Sequence, residues 1–219
     1  KLRYRELPVI ATPEAALEPG APVLHEDIPD NIVMHIPIRK GDVEQGMAEA
    51  DLVVEETYHT QPVEHAYLEP EAGLAYLDAD GTVVIQSPSQ NITHHRHKLA
   101  KILALPINKV RMIMSPVGGG FGGKEDMHYQ GILALAVLKC RRPVRYVFTR
   151  EESILASAKR HPFRIRYQMG LKQNGRICAS RIHMLSDGGA YNCSTEGVMR
   201  KAAILAAGPY AIENVRVDA

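Results

Sequence analysis

The sequence predicts an α+β fold in which mixed and antiparallel sheets pack against helices. Two observations carry this expectation. Strand-like segments occur in pairs joined by short turns: Gly73–Leu77 with Thr82–Gln86 across Asp78–Gly81, and Phe163–Met169 with Arg176–Ser186 across Gln173-Asn174-Gly175. Turns this short join antiparallel neighbours. Helical segments fall irregularly among the strands rather than after each one, so a regular β-α-β array is not expected. With 219 residues, 45% of them hydrophobic, the chain can bury the core of one large domain or two smaller ones.

From the start of the chain, Lys1-Leu2-Arg3-Tyr4 alternates like a strand. Residues 5–40 contain Pro8, Pro13, Pro19, Pro22, Pro29 and Pro37 and read as an extended connector, because each proline fixes φ and removes a backbone donor. One short helix fits at Thr12–Leu17, with Thr12 as its cap and Pro13 at the first helical position. Gly41–Ala50 reads as a short polar helix or turn, and Leu52–Thr60 as a strand. After the first hairpin, Asn91 or Thr93 can cap a helix on which Leu99, Ile102 and Leu103 share a face and which Pro106 ends. Lys109–Ser115 is a strand that delivers a glycine loop. Met127–Lys139 follows as a helix with almost no polar side after Gln130, which predicts burial. Val144–Thr149 reads as a buried strand and Glu151–Ala158 as a helix. Past the second hairpin, Gly197–Ala207 is helical and residues 214–219 alternate like a strand. A chain that begins on Lys and stops within a strand pattern reads as a piece of something longer.

Net charge is +1, from 26 basic and 25 acidic residues, and the basic cluster Lys139–Arg145 is interrupted by Cys140 and Pro143. Neither nucleic acid nor a membrane surface is expected as a partner. Cys140, Cys178 and Cys193 are far apart and form no CxxC pair. A zinc site or iron–sulfur cluster held by this chain alone is not expected, and a reduced, cytoplasmic setting is. No segment resembles a signal peptide or is long enough to cross a bilayer. His94, His95 and His97 share a predicted helix without acidic or cysteine partners and read as a solvated face.

The loop Val117–Glu125, VGGGFGGKE, carries the chemistry. Five of the six residues from Gly118 to Gly123 are glycine, a concentration suited to a backbone that turns sharply or approaches something closely. Between a strand and a helix, such a loop offers free N–H groups and a positive helix end to an anion. Gly118, Gly123 and Lys124 satisfy most of GxxxxGK[ST], but Glu125 stands where Ser or Thr should hold magnesium, which argues against a triphosphate loop. Gly118, Gly120 and Gly123 also satisfy GxGxxG, and acidic residues Glu151 and Glu152 follow the next strand. A nicotinamide- or flavin-nucleotide-binding domain is therefore one reading. It predicts a parallel sheet with Gly118–Gly123 opening its first helix. A scaffold module without cofactor is another.

The loop Gly118–Glu125 resembles the motif of the molybdenum subunit of xanthine dehydrogenases and aldehyde oxidoreductases. Glu64-His65-Ala66-Tyr67-Leu68-Glu69-Pro70, Ser89-Gln90-Asn91, Arg160-His161-Pro162-Phe163, and Ala207-Gly208-Pro209-Tyr210 with Asn214-Val215-Arg216 are similar to that family's other segments, in its order and spacing. The resemblance implies a fragment: residues 1–35 as the end of a hammerhead-type domain and connector, residues 36–219 as the N-terminal part of the molybdopterin-binding domain. It implies an enzyme that oxidises an N-heterocycle such as a purine, or an aldehyde, with water as oxygen source. The cofactor would be molybdenum–molybdopterin, in the cytosine dinucleotide form, with [2Fe–2S] clusters and FAD on partner domains or subunits. By position, Gln90, Gly119, Gly120, Phe121 and Gly122 would line the cofactor, with Gln90 and Phe121 beside the metal. Glu125 and Lys201 would hold substrate, with Arg200 as the alternative to Lys201. Where the family's purine oxidisers carry arginine, Lys201 cannot offer a bidentate fork. The catalytic base is expected beyond Ala219, so this piece alone is expected to be inactive.

Overall fold

The computed structural model describes residues 3–219. In chain order these form α1 (Pro13–Ala16), β1 (Pro37–Lys40), α2 (Val43–Ala48), β2 (Leu52–Thr60), β3 (Ala72–Leu77), β4 (Val83–Ser87), α3 (Ile92–Leu103) and β5 (Val110–Met114). There follow α4 (Gln130–Cys140), β6 (Val144–Val147), α5 (Arg150–Ala156), β7 (Phe163–Leu171), β8 (Ile177–Ser186), α6 (Thr195–Leu205) and β9 (Asn214–Asp218). The strand pattern at the start of the chain does not materialise: Arg3 and Tyr4 are irregular, and Lys1 and Leu2 lie outside the described residues.

The chain divides into two units. Pro62–Arg160 is one, inserted in sequence between the two halves of the other, which comprises the described residues up to Gln61 together with His161–Ala219. The discontinuous unit holds a five-stranded sheet in the order β1-β9-β8-β7-β2, antiparallel except for the β8–β9 pair. Its core is Ile182, Met184, Met199, Ala203, Ile212, Val215 and Val217. β1 escaped the connector reading because Pro37 is its first residue, and β1 is an edge strand, where a missing N–H leaves no ladder bond unmade.

The inserted unit holds a four-stranded sheet in the order β5-β4-β3-β6, with β4–β5 parallel and the other pairs antiparallel. Parallel neighbours need a crossover, and α3 supplies it. Asn91 caps α3 by accepting from His94 N–H at 3.1 Å, and Ala104 ends it in the left-handed region. Both α3 and α4 pack on the sheet, over a core of Ala75, Val83, Ile85, Leu99, Val110, Tyr129, Leu133, Val137 and Phe148. Three expectations are corrected. α4 starts at Gln130, and its all-apolar surface is not all buried, since Ile132 is 65% exposed. β6 is a largely exposed edge strand rather than a buried one: Val144 is half-buried against the core, and Phe148 just beyond the strand is the buried residue. β4 and the antiparallel β3 stand between β5 and β6, so the β5–loop–α4–β6 run does not join neighbouring strands of a parallel sheet, as a nucleotide-binding GxGxxG loop requires.

Candidate functional site

Because β4 and β5 run parallel, with Ser87 opposite Met114, their C-terminal ends emerge side by side. Gln90 follows β4 and the glycine loop follows β5, so register alone brings these two segments together. The chain turns through residues 121–126 and α4 begins only at Gln130. The expected positive helix end is therefore absent from the loop, and any anion held here is held by backbone N–H groups rather than by a helix terminus.

Gln90 is the keystone under the loop. Its Oε1 accepts from Gly122 N–H at 3.0 Å and Lys124 N–H at 3.2 Å, and its own N–H donates to Lys124 O at 3.0 Å. Two donors facing one amide atom require that atom to be oxygen. The Nε2 amino group therefore points away from the loop, and it has no partner among the described residues. A Cβ on Gly120 would overlap Gln90 Oε1, so only glycine leaves room for this seat.

The remaining loop N–H groups sort cleanly. Gly118 N–H donates to Glu69 Oε2 at 2.9 Å, Gly123 N–H to Gly120 O at 2.7 Å and Glu125 N–H to Gly122 O at 3.2 Å. Gly119, Gly120 and Phe121 keep three successive N–H groups with no protein acceptor among the described residues. Phe121 sits in the left-handed region (φ 54°), and the residue is 76% exposed. It does not anchor the loop in the core. A bulky residue in that conformation is uncommon and strained.

Lys124 is the surprise. Its side chain is 2% exposed, turned away from the loop's open side and over the Tyr67 ring at 4.6 Å. Its Nζ lies 2.5 Å from Glu69 Oε2 and 3.0 Å from Glu69 O. A phosphate-binding loop needs this lysine at the ligand, so the geometry rejects that reading independently of Glu125. Below it, Tyr67 donates its hydroxyl to the buried Glu71, which His128 Nδ1 approaches at 3.5 Å. Burial raises the Glu71 carboxyl, but the neighbouring His128 and Ser153 side chains outweigh it and hold the group below its ordinary value. Arg150 pins the preceding backbone through the carbonyls of Tyr67 and Leu68.

Glu125 is half-buried at the end of the loop. Its carboxylate has no partner among the described residues, while its carbonyl accepts from His95 Nε2 at 2.9 Å. It lies five residues before α4, so it does not serve that helix's dipole. His95 departs from the solvated-face expectation: it is fully buried, with Nδ1 3.1 Å from Ser89 Oγ. Burial lowers its pKa, partly opposed by the bond to Glu125 O. His94 and His97 are exposed as expected. Lys201 and Arg200 belong to the other unit, on the exposed side of α6.

Gln90, Gly119, Gly120, Phe121, Gly122 and Glu125 are thus gathered in one unit. Sequence reasoning assigned no place in the site to Glu69, Tyr67 or His95 and weighed Lys124 only as part of a GxxxxGK match; the Lys124–Glu69 and His95–Glu125 links span 55 and 30 positions and leave no periodic signal. A mostly apolar cavity of about 390 Å3 in the discontinuous unit, lined by Leu17, Ile32, Met34 and Met199 among others, contains none of the predicted site residues.

A family model described as the molybdopterin cofactor-binding domain matches residues 24–219. Over its whole length the chain is 40% identical to the nicotinate dehydrogenase large molybdopterin subunit of Eubacterium barkeri, covering 51% of that protein. It is 38% identical, again over its whole length, to a probable xanthine dehydrogenase subunit of Bacillus subtilis, covering 29% of it. Among solved structures, the aldehyde oxidoreductase from Desulfovibrio gigas matches with a TM-score of 0.89 at 27% identity, over 97% of this chain and 24% of that one. The chain therefore spans about half the length of the first relative and less of the others.

Proposed function

Because the chain belongs to the molybdopterin cofactor-binding domain family, we propose that it forms part of the molybdenum subunit of a hydroxylase that oxidises an N-heterocycle or an aldehyde with water as oxygen source. The observation that carries this reading is the row of unengaged N–H groups at Gly119, Gly120 and Phe121 beside the outward-turned amide of Gln90. These are neutral donors, and the nearby cation, Lys124, is neutralised by Glu69. Such a set suits phosphate and oxo oxygens without imposing a counter-charge. When bound, the molybdenum–molybdopterin cofactor supplies the two-electron oxidation, with electrons passing to [2Fe–2S] clusters and FAD on partner domains or subunits. The cytosine dinucleotide form and a cytoplasmic setting belong to the same reading.

Within this chain, the Gln90 amide would donate to an oxygen of the bound cofactor, the N–H groups of Gly119, Gly120 and Phe121 would hold it in place, and the exposed Phe121 ring would face the substrate. Glu125 offers an unpaired carboxylate to a ring N–H and stabilises charge developing there. Lys201 contributes a point charge rather than a fork, which favours substrates other than those needing bidentate recognition. The similarity to a protein named for nicotinate supports an N-heterocycle over an aldehyde. Residues 1–35 are assigned to the end of a preceding domain. The catalytic base is assigned to the part of the relatives' length that this chain does not cover, so the 219 residues alone are expected to turn over neither xanthine nor an aldehyde.

Metal analysis of the purified enzyme tests the reading. It should contain molybdenum, and Gly120→Ala, which pushes Gln90 off its seat, should lower molybdenum per protein by about tenfold or more, the usual effect of disturbing groups that support a metal's ligands. An enzyme without molybdenum, or a Gly120→Ala variant with full occupancy, would be evidence against it.

A further inference from the structure

We propose that Glu69 and Lys124 are a positioning pair that aims the Gln90 amide and keeps the middle of the glycine loop open for its ligand; this rests on the cofactor reading above. One carboxylate oxygen, Glu69 Oε2, takes both the Gly118 N–H at the start of the loop and the Lys124 ammonium at its end. The Glu69 backbone repeats the grip, donating N–H to Gly118 O at 3.2 Å and accepting from Lys124 Nζ at 3.0 Å. Both ends of the loop are therefore tied to a single residue outside it.

Lys124 then transmits this grip to Gln90. Its N–H donates to Gln90 Oε1 and its carbonyl accepts from Gln90 N–H, so a displacement of residue 124 rotates the amide whose Nε2 faces outward. The pair also decides which N–H groups stay free. With Gly118 and Lys124 satisfied internally, Gly119–Phe121 form the run of successive unengaged donors in the middle of the loop. A lysine buried this deeply is rare unless paired, and replacing a buried ion pair by apolar residues of similar volume is often neutral or stabilising. Stability alone therefore does not account for an ammonium at this position. Alignment of the loop does.

The test uses the complete enzyme carrying Glu69→Gln/Lys124→Met, which removes both charges together, keeps an acceptor for Gly118 N–H and preserves volume. The expected result is an unfolding midpoint close to wild type, an altered electron paramagnetic resonance spectrum of the pentavalent molybdenum, and kcat lower by about tenfold or more with KM little changed. A double variant as stable as wild type with the wild-type spectrum and kcat would overturn the proposal while leaving the cofactor reading intact. Wild-type enzyme lacking molybdenum would sink both. Should the double variant not fold, Glu69→Gln alone decides by the same spectrum, and an unchanged spectrum counts against the pair.

Discussion

Phe121 is the residue at which the loop departs furthest from what stability favours. It combines a left-handed backbone with an exposed aromatic ring, a strain of about 1–3 kcal/mol that persists where surroundings or function require it. Phe121→Gly should therefore leave the unfolding midpoint unchanged or raise it, while KM for substrate rises. A lower midpoint with unaltered KM would mean the ring serves packing instead. His95 makes a second residue-scale argument. Burial lowers its pKa below 6.5, and the positive charges of His94, Lys98 and His128 act in the same direction. The folded chain thus binds a proton at His95 less readily than the unfolded chain does. Its contribution to stability is complete above about pH 6.5 and is lost as pH falls through the lowered value. Thermal unfolding of His95→Gln between about pH 5 and 8 should show a flatter profile than wild type; parallel profiles would exclude this residue as the source.

At the scale of elements, α3 separates local from tertiary stabilisation. Removing its cap by Asn91→Ala should cost about 0.5–2 kcal/mol, whereas Leu99→Ala, which empties a fully buried site, should cost about 2–5 kcal/mol. Denaturant midpoints of the two variants, at equal slope, measure the difference. The same helix shows what the sequence discloses. Its end before Pro106 and the buried Leu99 are local chemistry and were legible, as were α1 with Thr12 and Pro13 and the bounds of β2; of the two cap candidates the structure uses Asn91, and Ile102 of the expected stripe is exposed. Elements that depend on distant partners were not. The exposure of β6 follows from its being an edge, which only the pairing of β3 with both β4 and β6 creates. The late start of α4 follows from the turns at residues 121–126, in a stretch whose composition favours helix after Met127. In the site, Gln90 and the loop were legible through family resemblance, and the structure adds the register that joins them. The Glu69–Lys124 and His95–Glu125 links span 55 and 30 residues, and no local pattern encodes them.

For the whole molecule, the α+β expectation and the family assignment both hold, and the unexpected feature is the insertion of one unit within the other. That arrangement bears on the order of folding. β2 and β7 pair along nine positions, from Leu52 with Leu171 to Thr60 with Phe163, although more than a hundred residues separate the partners at every position. Within the inserted unit, Arg160 N–H donates to Val63 O at 3.0 Å, so the two ends of that unit are already joined. Once Pro62–Arg160 has folded, the closure that β2 and β7 must complete shrinks from a loop of about a hundred residues to one of a few, an entropic saving of roughly 2–3 kcal/mol. Pairing of distant strands is slow for this same reason. Leu99→Ala should therefore delay exchange protection of the β2 and β7 amides during refolding, though it lies in neither strand. The inserted unit acts as a clamp that makes a long-range hairpin kinetically local.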